Sequence, residues 1–126
     1  MCIRDSILLE AASGIRSSNR IAFVVDFIKS HLSEKITVGQ LAKKVCMSPS
    51  NFHKVFRDTT GCSPLHYINV ERIKKAKQLM ERSRLTVGEI AHAVGFNDPA
   101  YFSRQFKKIE GVSPRAYLLR SSAVML

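Results

Sequence analysis

The sequence predicts an all-α fold of about seven helices, arranged as two copies of one helical unit joined by a long connecting helix. Three observations predict it: an internal repeat, capping signals at matching places in both copies, and a breaker-free run between them. One copy, residues 37–68, reads TVGQLAKKVCMSPSNFHKVFRDTTGCSPLHYI. The other, residues 86–118, reads TVGEIAHAVGFNDPAYFSRQFKKIEGVSPRAYL. They align at an offset of 49 as far as Ser50 and Pro99, and at 50 thereafter. Ordered identities run from Thr37/Thr86, Val38/Val87 and Gly39/Gly88 through Phe52/Phe102 and Phe56/Phe106 to Pro64/Pro114 and Tyr67/Tyr117. Self-similarity at a fixed period marks duplication of one supersecondary unit.

Each element follows from local chemistry. Residues 21–32 (IAFVVDFIKSHL) form an amphipathic pattern, with Ser18 or Asn19 available as cap. Thr37-x-x-Gln40 and Thr86-x-x-Glu89 are capping boxes, in which the threonine oxygen and the third residue on satisfy each other's backbone N–H. Val38, Leu41, Ala42 and Val45, and Val87, Ile90, Ala91 and Val94, then recur at helical spacing. These helices are short, about two turns each. A second start follows at once: Ser48 before Pro49 in one copy, Asn97 or Asp98 before Pro99 in the other. The second helices, about 49–60 and 98–110, bury Phe52, Val55 and Phe56, and Phe102, Phe106 and Ile109. Gly61 and Gly111 supply the left-handed residue that ends them. Residues 64–82 contain no breaker, and Leu65, Ile68, Arg72, Ile73, Ala76, Leu79 and Met80 mark their buried stripe. Ser113-Pro114 opens a last helix.

The domain expectation is a linker or appended segment at 1–19, one domain at 20–120 and a tail at 121–126. Within the domain lie a first helix pair at about 37–61, the connecting helix at about 64–82 and a second pair at about 86–111.

Composition narrows the function class. Lys and Arg number 20 against 10 Asp and Glu, a formal charge of +10. Residues 1–19 hold two of each sign, so the excess belongs to the folded part. Such a balance calls for a polyanionic partner, nucleic acid or an anionic membrane surface. At 45% hydrophobic residues a packed core is expected. Cys2, Cys46 and Cys62 are widely spaced, with no C-x-x-C and no metal-ligand spacing, so no metal and no cofactor is expected. Unpaired cysteines point to a reduced, cytoplasmic setting. Apolar runs are too short to span a membrane, and ILLEAA, interrupted at Glu10, is too short for a signal segment. Without paired carboxylates, a Cys–His arrangement or a phosphate-cradling glycine loop, an enzyme is not expected.

Two short helices joined by a tight turn make the helix-turn-helix motif, whose second helix enters the major groove of duplex DNA. Its marks are a small residue early in the first helix and glycine in the turn. Ala91 and Gly95 supply both in the second copy, whereas the first has Ala42 but Cys46 at the turn. A non-glycine residue there disfavours positive φ, so that turn is open in detail. Opposite the aromatics, the first reader helix presents Ser50, Asn51, His53, Lys54 and Arg57. The second presents Pro99, Ala100, Ser103, Arg104, Lys107 and Lys108.

Positions in the first two turns are expected to reach base edges. Arg104 suits a bidentate bond to guanine, Lys54 the same acceptors, Asn51 adenine, and Ala100 a thymine methyl. His53 and Ser103 can donate or accept. Arg57, Lys107 and Lys108 are expected on phosphates, as are the helix starts at Thr37 and Thr86. Lys74, Lys75 and Lys77 read mainly as a solvated face, Arg72 as a structural arginine on the buried stripe. The connecting helix, roughly 28 Å long, suits reader helices about 34 Å apart, one turn of duplex.

The second copy, A-x-x-V-G-F-x-D-x-x-Y-F-S-R-x-F-K-K-x-x-G-x-S-P over 91–114, resembles the signature of the AraC/XylS family. The connecting stretch Y-x-x-x-x-R-I-x-x-A-x-x-L over 67–79 fits it too, and the resemblance covers about 20–120. It implies a seven-helix domain that binds double-stranded DNA through both units and usually activates transcription by touching RNA polymerase. Ser50, His53 and Lys54, with Pro99, Ala100, Ser103 and Arg104, match the family's base-facing positions. Leu118 departs from the arginine often found after the last tyrosine, and Pro99 and Ala100 carry no hydrogen-bonding side chain. The family also implies a separate effector or dimerisation domain ahead of this one, so the chain is expected to be a piece of a longer regulator. The competing expectation is a basic helical protein-interaction module with no DNA sequence preference.

Overall fold

In the computed structural model the described residues are 15–125, with side chains described for 19–120. Among them are seven helices: α1 (Ile15–Ser30), α2 (Val38–Lys44), α3 (Pro49–Thr60), α4 (Pro64–Arg82), α5 (Val87–Ala93), α6 (Pro99–Glu110) and α7 (Pro114–Met125). No strand occurs among the described residues. Of the linker expected at 1–19, residues 1–14 lie outside the described residues and 15–19 are helical, at the start of α1.

The chain divides into two compact units between Ile68 and Asn69, a division that falls inside α4. In the first unit α1 and α2 both pack on α3. Ile21, Val24 and Ile28 of α1 meet Leu41, Ala42, Phe52, Phe56, Tyr67 and Ile68 in one buried cluster. In the second unit α5 and α7 pack on α6, and Ile73, Ala76 and Met80 of α4 join Ile90, Ala91, Val94, Phe96, Phe102 and Phe106. The equivalent aromatic pairs repeat. Phe56 meets Tyr67 edge-on at 5.6 Å, and Phe106 meets Tyr117 edge-on at 5.6 Å.

Both capping boxes form. Gln40 N–H donates to Thr37 Oγ1 at 3.1 Å, and Glu89 N–H to Thr86 Oγ1 at 3.1 Å. The return bonds are 3.4 Å at Gln40 and 2.9 Å at Glu89. Both turns close as a Schellman motif, where the residue past the helix end is left-handed and the next N–H bonds back five residues. Met47 N–H donates to the Ala42 carbonyl at 3.0 Å, and Phe96 N–H to that of Ala91 at 2.9 Å. The left-handed residue is Gly95 (φ 106°) in one unit and Cys46 (φ 57°) in the other. The turn left open by Cys46 therefore keeps the glycine geometry, held by the backbone bonds around it.

Four expectations are corrected. Helix α1 starts at Ile15, so Ser18 and Asn19 lie inside it rather than capping it. The extra residue of the second copy falls in the turn, at Asn97, not after Pro99: Ser48 and Asp98 are the caps, and Pro49 and Pro99 both open their helices. Ser50 therefore corresponds to Ala100. On α4, Leu65 is 53% exposed while Tyr67 is buried, which turns the stripe toward Tyr67, Ile68, Ile73, Ala76 and Met80. Val55 and Ile109 are only half-buried, at the margins of their cores.

Candidate nucleic-acid interface

Helix α3 is anchored by Phe52 and Phe56, both fully buried. At 100° per residue the opposite face carries Ser50, His53, Lys54 and Arg57, all exposed. Asn51 is exposed too and lies about 60° from Lys54, nearer the centre of that face than His53. Ser50 and His53 line a shallow cleft of about 470 Å³ with Val38 and Pro49, beside the start of α2. Helix α6 repeats the plan. Phe102 and Phe106 are fully buried, and Ala100, Arg104, Lys107 and Lys108 are exposed, with Ser103 half-buried among them. Pro99 is exposed at the first turn.

Each reader helix starts on a capped turn. Asn51 N–H donates to Ser48 Oγ at 3.2 Å, and Ala100 N–H to Asp98 Oδ1 at 3.0 Å. Each ends on left-handed glycine, Gly61 or Gly111. These stops fix which residues fall in the first two turns. The second helix thus brings together a planar guanidinium, a hydroxyl and a methyl, and the first an ammonium, an imidazole and a hydroxyl.

The starts of α2 and α5 differ electrically. Thr37 and Thr86 are exposed, and their hydroxyls are committed to the capping boxes. Gln40 is neutral. Glu89 brings a carboxylate, held below the ordinary carboxylate range by the bond from Thr86 N–H and then by the Thr86 hydroxyl, against a small opposing cost of burial. An anion is better received at Thr37 than at Thr86.

The lysines of α4 are partly committed. Lys74 Nζ lies 3.2 Å from Glu71, and Lys77 Nζ lies 3.0 Å from Glu110 at the end of α6. Lys75 is exposed. Arg72 is buried with its guanidinium 5.6 Å from the Phe96 ring centroid, the structural role expected of it. Burial lowers its pKa, partly offset by Tyr101. Arginine nonetheless stays charged at ordinary pH.

Two residues that the spacing does not single out support Arg104: Tyr101 on α6 and Asn69 on α4. Asn69 is 3% exposed on α4, and its Nδ2 donates to the Tyr101 hydroxyl at 3.0 Å. The Arg104 guanidinium carbon lies 5.9 Å from the Tyr101 ring centroid. An amide one turn before Arg72, on the buried side of α4, is the available signal.

Among the described residues no cluster of three or more His, Cys, Asp or Glu could hold a metal ion, and no helix is long and apolar enough to cross a membrane.

The helix-turn-helix domain family matches residues 41–120. The chain is 33% identical over 120 residues to the arabinose operon regulatory protein of Escherichia coli (strain K12), covering 90% of this chain and 41% of that protein. It is 35% identical over 97 residues to the lactose operon transcription activator of Staphylococcus xylosus, covering 77% of this chain and 35% of the relative. The chain thus spans roughly two fifths of the length of these curated relatives. Among solved structures it is similar to the DNA-binding domain of AdpA, a global transcriptional factor, in complex with a target DNA. The TM-score there is 0.78 at 35% identity, over 82% of this chain and 93% of that one.

Proposed function

This chain belongs to the AraC-type helix-turn-helix family, and from that premise we propose that it is the sequence-specific, double-stranded-DNA-binding part of a transcription regulator. Helices α3 and α6 lie in successive major grooves of one site. The observation that carries this is the duplicated split of each reader helix: buried phenylalanines on one face, exposed polar and cationic side chains on the other. A face needed only for solubility has no reason to repeat its helix-start chemistry, its stop and a cation at the same depth in both copies.

The base-reading set is Ser50, Asn51, His53 and Lys54 on α3, with Pro99, Ala100, Ser103 and Arg104 on α6. Arg104 forks onto guanine, and Lys54 donates to guanine acceptors. Ala100 packs on a thymine methyl. Arg57, Lys107 and Lys108 hold phosphates, as does the Thr37 helix start; the Thr86 start contributes less because of Glu89.

The relatives' greater length and the activator named among them support an upstream effector or dimerisation domain and contact with RNA polymerase. The working place of such a regulator is the cytoplasm. The family is one of binding modules, and no catalytic step is assigned.

The test is selection of a preferred site from randomised duplex, followed by titration of the selected and a scrambled duplex at two salt concentrations. The selected duplex should bind about 10³-fold more tightly. Both affinities should fall with salt as phosphate-bound counterions are released. Equal affinity for both duplexes would mark a basic interaction module instead.

A further inference from the structure

Tyr101 is half-buried three residues before Arg104, so its ring and the guanidinium share one side of α6. The ring is held from behind at two points. Phe96 backs it with ring centroids 5.9 Å apart, and Asn69 donates to its hydroxyl at 3.0 Å. Asn69 is expensive where it stands. It is 3% exposed, and its Oδ1 is buried with no hydrogen-bond partner. A leucine there would leave no buried acceptor unpaired. What the amide supplies that a leucine cannot is the bond to Tyr101.

The far end of α6 is tied to the same helix, through Lys77 and Glu110 at 3.0 Å. The two ties stand about 12 Å apart along α4 and about 13.5 Å apart along α6, at 1.5 Å per residue. Both ties join α6 to α4. At the positions matching Tyr101 and Arg104 the first reader helix has Asn51 and Lys54, which supply neither a ring nor a planar fork.

We propose that Asn69 and Tyr101 are positioning residues for base recognition: the amide fixes the phenol, and the phenol ring shelves the Arg104 guanidinium in the orientation that meets one guanine. The inference rests on Arg104 being a base contact, as proposed above. A guanidinium stacks on an aromatic face through its plane and leaves its N–H edge free for a bidentate partner. A shelved arginine also has fewer rotamers to lose on binding. The consequence is unequal reading. Discrimination is sharpest at the base pair under Arg104, while Lys54, a flexible point charge, reads its pair loosely.

The experiment titrates the whole chain against the selected duplex and its single-base-pair variants. Arg104→Ala first identifies the pair whose discrimination disappears, by about tenfold or more. Tyr101→Leu should then cut discrimination at that same pair by about two- to fivefold. It should leave the pairs read by α3 unchanged and add nothing when Arg104 is already alanine. Tyr101→Phe keeps the ring and loses the tether, so it should give a smaller loss at the same pair. Asn69→Ala combined with Tyr101→Phe should be no worse than either alone.

Thermal melting by circular dichroism reports folding separately, and Tyr101→Phe remains readable if Tyr101→Leu unfolds. A merely structural role would weaken all duplexes alike. That result, or undiminished discrimination in both tyrosine variants, overturns the proposal. If Arg104→Ala alters no base preference, the underlying assignment of Arg104 fails, and this inference fails with it. If Arg104→Ala alone has the effect, only the positioning role is lost.

Discussion

At the scale of single residues, Cys46 shows how a duplicated motif tolerates a poor residue. Its backbone is left-handed (φ 57°) where the second copy has Gly95 (φ 106°), because the bonds from Cys46 and Met47 N–H to the Lys43 and Ala42 carbonyls demand it. A side chain in that region costs about 1–2 kcal/mol. Glycine would remove the strain but adds freedom to the unfolded chain worth about 0.4–1 kcal/mol. Cys46→Gly should therefore stabilise by about 0.5–1 kcal/mol in urea unfolding, and Gly95→Ala should destabilise by a similar amount. A stabilising Gly95→Ala would show that the second turn does not need its conformation. Residue roles were the least legible level of the sequence. Arg72 was recognisable because a charge on a buried stripe must be structural. Asn69 was not, because what it touches lies 32 positions away at Tyr101, and helical periodicity carries no information about that partner.

At the scale of elements, the capping chemistry was plain in the sequence, since a cap is local. Thr37, Ser48, Thr86 and Gly61 each act within a few residues of where they stand. The choice between Asn97 and Asp98 was open because both are good caps. The backbone settles it: Phe96 N–H closes the preceding turn, and Asp98 is left extended before Pro99. The start of α1 is hidden for the opposite reason: Ser18 and Asn19 have the side chains of caps but sit inside the helix. The exposure of Leu65 and burial of Tyr67 depend on which neighbours cover the first turn of α4, and spacing alone does not specify that.

The two capping boxes also make an internal pH comparison. Glu89 has its folded pKa lowered by Thr86, so its contribution is present above the unfolded carboxylate value and is lost as pH falls through the folded one. Gln40 has no such titration. In acid, amide exchange at Thr86, relative to Thr37 and corrected for intrinsic rates, should accelerate. Glu89→Gln should abolish the difference, and a pH-independent ratio in the unaltered chain would mean the carboxylate is not held by Thr86.

At the scale of the whole molecule, the repeat was the most legible feature because it is a relation within the sequence and needs no external reference. It foretold two units with equivalent aromatic cores, and the Phe56–Tyr67 and Phe106–Tyr117 pairs reproduce each other. The insertion point was less legible. Ser50 and Pro99 align by residue order, but the turn absorbs an extra residue more easily than a helix does, so the structure places it at Asn97. The charge of +10 foretold a polyanionic partner but not which residues meet it. The exposed faces of α3 and α6 offer the candidates, with Ser50, His53, Lys54 and Arg57 on one and Ala100, Arg104, Lys107 and Lys108 on the other.

The central claim is that both reader helices engage one duplex in successive major grooves. The most direct measurement is affinity for the selected duplex after about five base pairs, half a helical turn, are inserted between its two half-sites. Binding should fall toward the level of scrambled duplex, and an insertion of about ten base pairs should not restore it, because a connecting helix of roughly 28 Å cannot reach a second half-site moved a further ~34 Å away. Unchanged affinity with the half-turn insertion would contradict two-helix reading and leave a single reader helix responsible for the site.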